Sequence, residues 1–529
     1  MSVLISKIEQ ASGRIATFTF LVLLGLAAIV GGEVVQVLPR RMAFGALLLL
    51  LLFAAALITR RPREIFLAGW VFALVYNRQY FVFLPFVGDQ GSEGPYLIAS
   101  DLFLILLIAY WYYEHSILKM RREPIGRPLW PWYLPFAVVC VISLFVSDRP
   151  DWGIYELIRV AKVGFILYYV RRNFRKREWW LCALTLGAAV CFESALGTME
   201  VATKRSGVLG VFGLGQNANV MPERFTGEFS QEVWYGMYRA TATMSHPPNL
   251  ACYLLLTIPV FLALAPVMPR VWQRLACAGT GLLGLVGLAC TLSRWPWAVA
   301  SLQLLLLFAG LVGMRLWDVR RALGVVFLGI ILLVSGLIPF RHLIVQRMTR
   351  DFKVSEEGRF DEYGTAIEMF GDRPFLGTGL NNARAHIVHY RPEIQYNLDL
   401  DTPLTQLLHL RAIVSPQNGF LHVLIELGAL GVLTFLVYVV GTLVTGLRAI
   451  QESRGYARAA CFGLTIGLLG VMLQQAVDFS YWVDPLLYTY TLVVGMLNTS
   501  VVLRDGNEPA NERALLPVRH IGGGRRVHA

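Results

Sequence analysis

Arginines at predicted membrane boundaries are the residues of this sequence best suited to bind a charged substrate. Arg294 lies in the stretch Thr-Leu-Ser-Arg-Trp-Pro-Trp at 291–297, between two apolar segments. An ionised arginine at membrane depth is costly without an anionic partner, so it is a functional candidate by default. The structural alternative is an arginine that snorkels to the interface among tryptophans.

Two further basic residues fall within a predicted membrane span. Arg159 and Lys162 are three residues apart, so they share one helical face, and Glu156 lies on the same face. This spacing fits either an internal ladder of ion pairs or a cationic lining for a phosphate-bearing lipid.

Long loops near 203–247 and 340–416 carry more groups of this kind. The candidates there are Arg239 and His246 in the first loop, and Arg359, His386, His389 and His409 in the second. Any one arginine could be a solvated salt-bridge partner. As a group they suit phosphate, because guanidinium binds phosphate oxygens bidentately and stays charged.

Motifs for metal, ATP or nicotinamide chemistry are not supported. Asp399 and Asp401 form a single DxD, which is common by chance, and no HExxH, GxxxxGK[ST] or GxGxxG occurs. The seven cysteines fall in apolar stretches without a CxxC pair, so neither a disulfide framework nor a zinc site is indicated. We expect no metal and no cofactor.

The composition requires a membrane around these groups. The chain of 529 residues is 56% hydrophobic and 16% charged, with a mean hydropathy of +0.55. Soluble domains carry roughly 25% charged residues. Stretches of ~20 apolar residues predict an all-α, polytopic helix bundle with about 12–14 transmembrane helices. The candidates lie near 16–38, 42–58, 65–86, 96–113, 129–146, 154–170, 179–199, 248–265, 276–291, 296–313, 322–339, 417–446, 459–476 and 483–503.

The charges of the short loops predict an orientation. Alternate loops carry 20 basic residues on one side of the membrane and 4 on the other. Because basic residues accumulate on the cytoplasmic side, both termini are expected there, and the two long loops are expected outside. Arg40 and Arg41 are the exception. In the second long loop, residues 359–370 have an amphipathic pattern that predicts a helix, which either rests on the membrane surface or caps a cavity.

Several short motifs follow one another in a fixed order. They are Ser-His-Pro-Pro-Asn at 245–249, Thr-Leu-Ser-Arg at 291–294, Gly-Arg at 358–359, Asp-Arg-Pro-Phe-Leu-Gly-Thr-Gly-Leu at 372–380, Pro-Gln-Asn-Gly-Phe-Leu at 416–421 and Ile-Glu-Leu-Gly-Ala-Leu-Gly at 425–431. With a large outer loop in a many-span protein, this order resembles the O-antigen ligase and polymerase family over about residues 240–445.

This resemblance implies a metal-independent glycosyltransferase of GT-C-like architecture in the bacterial inner membrane. Its donor would be a glycan linked through diphosphate to a polyprenol, and its acceptor another glycan, lipid A core or a protein. A flippase and a chain-length regulator would be partners, and nucleic acid would not. Arg294 and Arg359 would bind the diphosphate, with Arg159 and Arg239 as further candidates. His246, Asn249, Gln417 and Asn418 would position the substrate.

One position departs from the family pattern. Ligase members usually carry His-Asn where this chain has Gln417-Asn418, and that histidine is regarded as the general base. Gln cannot accept a proton near neutral pH. The alternative bases are His386, His389, His409 and Glu426, unless deprotonation is late and weakly assisted. The departure favours polymerisation of repeat units over ligation.

The predicted organisation has four parts. Residues 1–240 form N-terminal transmembrane helices with the first long loop, and 241–446 form the ligase- and polymerase-like core with the periplasmic loop 340–416. Residues 447–503 add C-terminal transmembrane helices, and 504–529 form a cytoplasmic tail. A transporter of lipid-linked sugar and a passive assembly scaffold are the alternative classes, although the two halves show no clear self-similarity.

Overall fold

The computed structural model describes residues 61–76, 79–81, 96–117, 119–120, 122–203, 239–244, 246–320, 352–390 and 416–503, with scattered residues between 323 and 345. For 352–361 it describes the backbone alone. The predicted spans 16–38 and 42–58 lie outside these residues, as do most of 322–339 and the tail 504–529.

The described chain is built of helices. They are α1 (Pro62–Ala73), α2 (Ala99–Tyr112), α3 (Trp130–Ser143), α4 (Pro150–Asn173), α5 (Lys176–Thr203), α6 (Pro247–Leu264), α7 (Val271–Cys290), α8 (Arg294–Gly313), α9 (Phe352–Asp372), α10 (Ala383–Tyr390), α11 (Gly419–Glu452), α12 (Gly455–Gln475) and α13 (Asp484–Asn498). Strands β1 (Gln79–Phe81) and β2 (Tyr96–Ile98) form a small antiparallel ribbon.

Six of these helices, α5 to α8, α11 and α12, are long and apolar enough to cross a membrane. The predicted all-α polytopic bundle is thereby confirmed. Helices α2 to α8 and α11 to α13 follow ten predicted spans. The total of about 12–14 spans stays a prediction, because it depends partly on residues outside the described chain.

The predicted span 65–86 is wrong as a single helix. Helix α1 has 12 residues and ends at Ala73, so it is about 18 Å long, well short of a ~30 Å hydrocarbon core. The chain then turns and forms β1 opposite β2. The polar sequence Asn-Arg-Gln at 77–79 interrupts the apolar run, and the Tyr and Phe that follow favour a strand.

One end of the bundle gathers the predicted basic loops. The Arg63 guanidinium donates to the carbonyl of Asn173 at 2.5 Å and lies 3.6 Å from the Glu178 carboxylate. Arg122 lies 3.8 Å from Glu114. These contacts join the start of α1, the ends of α2 and α4, and the start of α5. We call this end the basic end, and the other the site end.

Helix α6 lies at the centre, against α12. A Cβ on Gly463 would meet the Val260 backbone at 2.5 Å, and one on Gly467 would meet the Leu256 carbonyl at 2.1 Å. This Gly-x-x-x-Gly spacing lets the two backbones approach closely, as in other membrane helix pairs. Gln303 of α8 donates to carbonyls of both helices, Leu255 at 3.0 Å and Ile466 at 2.9 Å.

The same hydrophobic core contains residues from the three predicted membrane segments, 1–240, 241–446 and 447–503. The predicted boundaries between these segments remain predictions.

Helix α11 is broken at Gly428, where φ is 63° and ψ is −163°. Residues 374–379 bond to the backbone groups that the break leaves open. The N–H groups of Thr378 and Gly379 donate to the carbonyls of Ile425 and Glu426, each at 2.9 Å. In the other direction, Ala429 donates to the Pro374 carbonyl at 2.8 Å, and Leu430 to Phe375 at 3.3 Å. A broken helix is tolerated at membrane depth when protein supplies such partners.

Replacing Gly428 with alanine tests this junction. An added Cβ would lie 2.4 Å from the Phe375 carbonyl, and the positive φ is strained for any other residue. We expect Gly428→Ala to lower the free energy of unfolding by about 1–3 kcal/mol. Thermal unfolding in detergent measures the change.

Gly279→Ala is the matched control, because a Cβ at this exposed position in α7 has no atom within 4 Å. Equal unfolding temperatures for the two variants would contradict the role assigned to the break.

Candidate functional site

Arg239 lies against the turn that carries Arg294. Its Nε donates to the Thr291 carbonyl at 3.0 Å and its Nη2 to the Ser293 hydroxyl at 2.7 Å. Ser293 is the N-cap of α8, and Arg294 is the first residue of that helix. The structure therefore brings two of the predicted phosphate ligands to one short turn at the site end.

Two buried glutamates of α5 fix the segment 239–244. Glu200 accepts from the backbone N–H groups of Thr241 at 2.9 Å and Ala242 at 2.7 Å. Glu193 accepts from the Thr243 N–H at 3.1 Å and its hydroxyl at 2.6 Å. A buried carboxyl group that accepts several hydrogen bonds is a strong anchor at low dielectric constant. The position of Arg239 is thus set by α5.

His246 follows this segment as the N-cap residue of α6. Its side chain reaches solvent, but the protein around it still removes part of its hydration. Desolvation by this surrounding protein, together with the charge of Arg239, lowers the pKa of His246 to about 4. The imidazole is therefore neutral near pH 7. Asn249 is buried and donates to the Met244 carbonyl at 3.4 Å, so it also fixes the start of α6.

The start of α11 reaches the same end of the bundle. Asn418 caps this helix by accepting from the N–H groups of Phe420 and Leu421, and it donates to the Ala476 carbonyl at 2.8 Å. Trp295, next to Arg294, donates to the Leu473 carbonyl at 3.3 Å. The beginnings of α8 and α11 thus both contact the C-terminal end of α12.

Helix α9 packs on the start of α11. The Gln417 N–H donates to Glu362 at 3.0 Å, and the Tyr363 hydroxyl donates to the Gln417 carbonyl at 3.4 Å. Arg359 lies in the same helix, three and four residues before these contacts, and so one turn away from them. Its side chain is outside the described part. The predicted helix at 359–370 is confirmed as part of the longer α9, and its place on the membrane surface stays a prediction.

Glu426 is buried on α11 just before the break. Its carboxylate accepts from the Asn381 N–H at 3.0 Å, and His422 Nε2 lies 3.7 Å from the same oxygen. His422 is not among the predicted bases. Helical spacing alone predicts this pair, because His422 and Glu426 are four residues apart and so share a helical face.

His386 is buried on α10 beside a carboxylate from the loop between α3 and α4. Its Nε2 lies 3.0 Å from Asp148, and Arg373 lies 3.7 Å from the same oxygen. His389 is exposed, with its ring centre 6.4 Å from that of His386. Sequence reasoning missed Asp148, because nothing local links this short loop to residue 386.

Arg159 is engaged inside the bundle. Its guanidinium donates to Asp484 at 2.5 Å, to Glu156 at 2.6 Å and to the Trp482 carbonyl. Lys162 lies 2.9 Å from Asp101. The geometry agrees with the ion-pair ladder, the first of the two alternatives for these residues.

Other candidates lie outside the described residues. They are His409 and the DxD pair, Asp399 and Asp401. Where the chain is described, His, Cys, Asp and Glu form no group of three or more that could hold a metal ion.

Comparison with known families identifies the class of protein. Residues 279–436 match the sequence model of a family described as O-antigen ligase. This segment runs from α7 to the first half of α11 and includes Arg294, Arg359, Gln417 and Glu426. In a search of curated proteins, no sequence matches the chain.

The chain is a multi-pass membrane protein, and its residues 279–436 are similar to the O-antigen ligase family. The resemblance carried by the short motifs is confirmed. The family points to an enzyme that acts on a glycan or lipid-linked substrate and an acceptor.

The cluster around His386 predicts a pH dependence of stability. Desolvation, Arg373 and His389 lower the pKa of His386 from 6.5, while Asp148 opposes them. The unfolded chain therefore binds a proton at a higher pH than the folded chain does, and unfolding becomes easier as pH falls. We expect the contribution of His386 to be intact above about pH 6.5 and lost progressively below it.

Thermal unfolding at pH 7.5 and pH 5.5 measures this effect. His386→Gln should reduce the difference between the two pH values, and His389→Gln, which removes only the smallest of these influences on the pKa of His386, should reduce it less. The interpretation is wrong if both substitutions give the wild-type difference.

Proposed function

We propose that the protein is an inner-membrane glycosyltransferase that uses a polyprenyl-diphosphate-linked glycan at the periplasmic face. Its most favoured reaction is the polymerisation of repeat units into an O-antigen or exopolysaccharide. The observation that carries the proposal is the contact of Arg239 with the turn of Arg294. Arg294 lies inside the family-matched segment, and Arg239 lies before it in the chain.

Electrostatics at the site end supports an anionic substrate. Helices α6, α8 and α11 all begin there, at Pro247, Arg294 and Gly419. A helix N-terminus carries a partial positive charge, which favours phosphate. Arginine adds a full charge that persists at any physiological pH.

The proposed reaction is a direct displacement. The acceptor hydroxyl oxygen forms a bond to the anomeric carbon while the bond from that carbon to the diphosphate breaks. The bonding electron pair leaves with the polyprenyl diphosphate, and the configuration inverts. Arg294 and Arg359 would stabilise the charge that grows on the leaving group. The activated donor supplies the driving force, so the scheme uses no ATP and no metal.

The proton of the acceptor hydroxyl needs a base, because Gln417 stands where ligases carry histidine. Two arrangements support a candidate. His386 has a carboxylate partner in Asp148 at 3.0 Å, and His422 lies 3.7 Å from Glu426. A base whose orientation is set by a carboxylate is the usual arrangement for this role. His389, His409 and Glu426 itself remain the other candidates.

Substitution of Arg294 tests the diphosphate role. We expect Arg294→Ala to lower polymer formation about 100-fold or more, since the loss of one such charge-stabilising donor costs ~3 kcal/mol of barrier. Arg359→Ala should behave similarly. The measurement is the rate of polymer formation from lipid-linked repeat units by purified protein.

Arg270→Ala is the control, because Arg270 is an exposed arginine at the start of α7, at the other end of that helix from Thr291. If Arg294→Ala, at equal expression, makes polymer at the parental rate, the diphosphate role is wrong.

Loss of the protein separates polymerase from ligase. A strain without a polymerase should accumulate single repeat units on the polyprenol, whereas a strain without a ligase should accumulate long chains. A mass profile of polyprenol-linked glycans shows which occurs. Single repeat units confined to the cytoplasmic leaflet would instead indicate the transporter alternative.

A further inference from the structure

A cavity of about 460 Å³ lies far from the proposed reaction, at the basic end of the bundle. Its walls come from the loop before α3 and from the C-terminal ends of α11 and α13. The lining includes Arg127, Trp132, Arg448, Glu452, Asn498 and Val501. One face of the cavity is thus apolar, and its rim carries charge.

The rim has an excess of positive charge. Arg127 lies 3.8 Å from Glu452, but their side chains are 67% and 48% exposed, so this pair is weak. Arg448 lines the same cavity, and within the part of the chain that the structure describes it forms no hydrogen bond or ion pair. One guanidinium therefore faces the cavity without a carboxylate of its own.

The loop that carries Arg127 is held in place. The Arg127 N–H donates to the Asn498 side chain at 3.2 Å, and that side chain donates back to the Arg127 carbonyl at 2.9 Å. Arg171 of α4 donates to the neighbouring Gly126 carbonyl at 3.3 Å. The cavity is therefore formed by anchored backbone, with Arg127 fixed at its edge.

We propose that this cavity binds the phosphate headgroup of an acidic membrane phospholipid. The end on which it lies carries the predicted cytoplasmic loops, and anionic lipids attract basic residues at that surface. Arg127 and Arg448 contact the phosphate, and the half-buried Trp132 and Val501 contact the glycerol and upper acyl chains. Basic pockets between transmembrane helices on this side bind lipid headgroups of this kind.

The chain offers one competing occupant, the segment 504–529 that follows the cavity wall. This segment has five arginines against three acidic residues. Its positive charge repels the rim, so charge favours an anionic lipid over the tail.

Binding of lipid to the full-length protein in detergent tests the proposal. Native mass spectrometry follows titration with phosphatidylglycerol and, separately, with phosphatidylcholine of the same acyl chains. We expect phosphatidylglycerol to bind more tightly, and Arg448→Gln to weaken that binding about fivefold. Arg448→Lys should retain most of it. Arg448 is exposed, and thermal unfolding without lipid verifies that each variant folds.

Arg320→Gln is the matched control, since it removes an exposed arginine that does not line the cavity. Equal weakening by Arg320→Gln and Arg448→Gln would overturn the proposal, as would equal binding of the two lipids. Inorganic phosphate that displaces the lipid completely at the same concentration would identify a free-phosphate site instead. If the full-length protein does not bind the lipid and a chain truncated after residue 503 does, the tail is the occupant.

Discussion

The junction at Gly428 holds helices α9 and α10 against the membrane helices. Four backbone hydrogen bonds join the broken helix α11 to residues 374–379. The same loop continues into Asn381, which bonds Glu426, and Asn382, whose side chain accepts from the Arg149 N–H at 2.9 Å and donates to the Arg149 carbonyl at 3.1 Å. A break that would be costly in lipid therefore becomes the attachment point between α9, α10 and the bundle.

A second set of hydrogen bonds positions the charge at the site end. Backbone N–H groups donate these bonds to buried carboxyl groups. Glu193 and Glu200 fix residues 241–243, and these fix Arg239. The segment that carries Arg239 is thus supported by buried carboxyl groups of α5. Because the backbone directs the Arg239 guanidinium, the binding of the proposed anion would need little rearrangement of the site.

Hydropathy predicted the helices of this fold well, but not the places where they break. An average over some twenty residues detects α5 to α8. It passes over the turn after Ala73, because a short polar sequence is lost in the average, and over the break at Gly428, because that break depends on bonds to residues 374–379. Motif order located Arg294, Gln417 and Glu426. The pairing of His386 with Asp148 could not be predicted, since it requires the docking of one loop on another. His422 was within reach of helical spacing alone.

The close contact between α6 and α12 has a consequence for how such proteins diversify. The family-matched segment 279–436 contains neither helix, yet α8 is bonded to both through Gln303. Where backbones touch at Gly467, no side chain is present to adjust to a different neighbour. A chimaera that exchanges only the matched segment would pack a foreign α8 against the close-packed pair α6 and α12, which has little freedom to adjust. Transplanting the segment into another scaffold therefore has to carry both flanking helices with it.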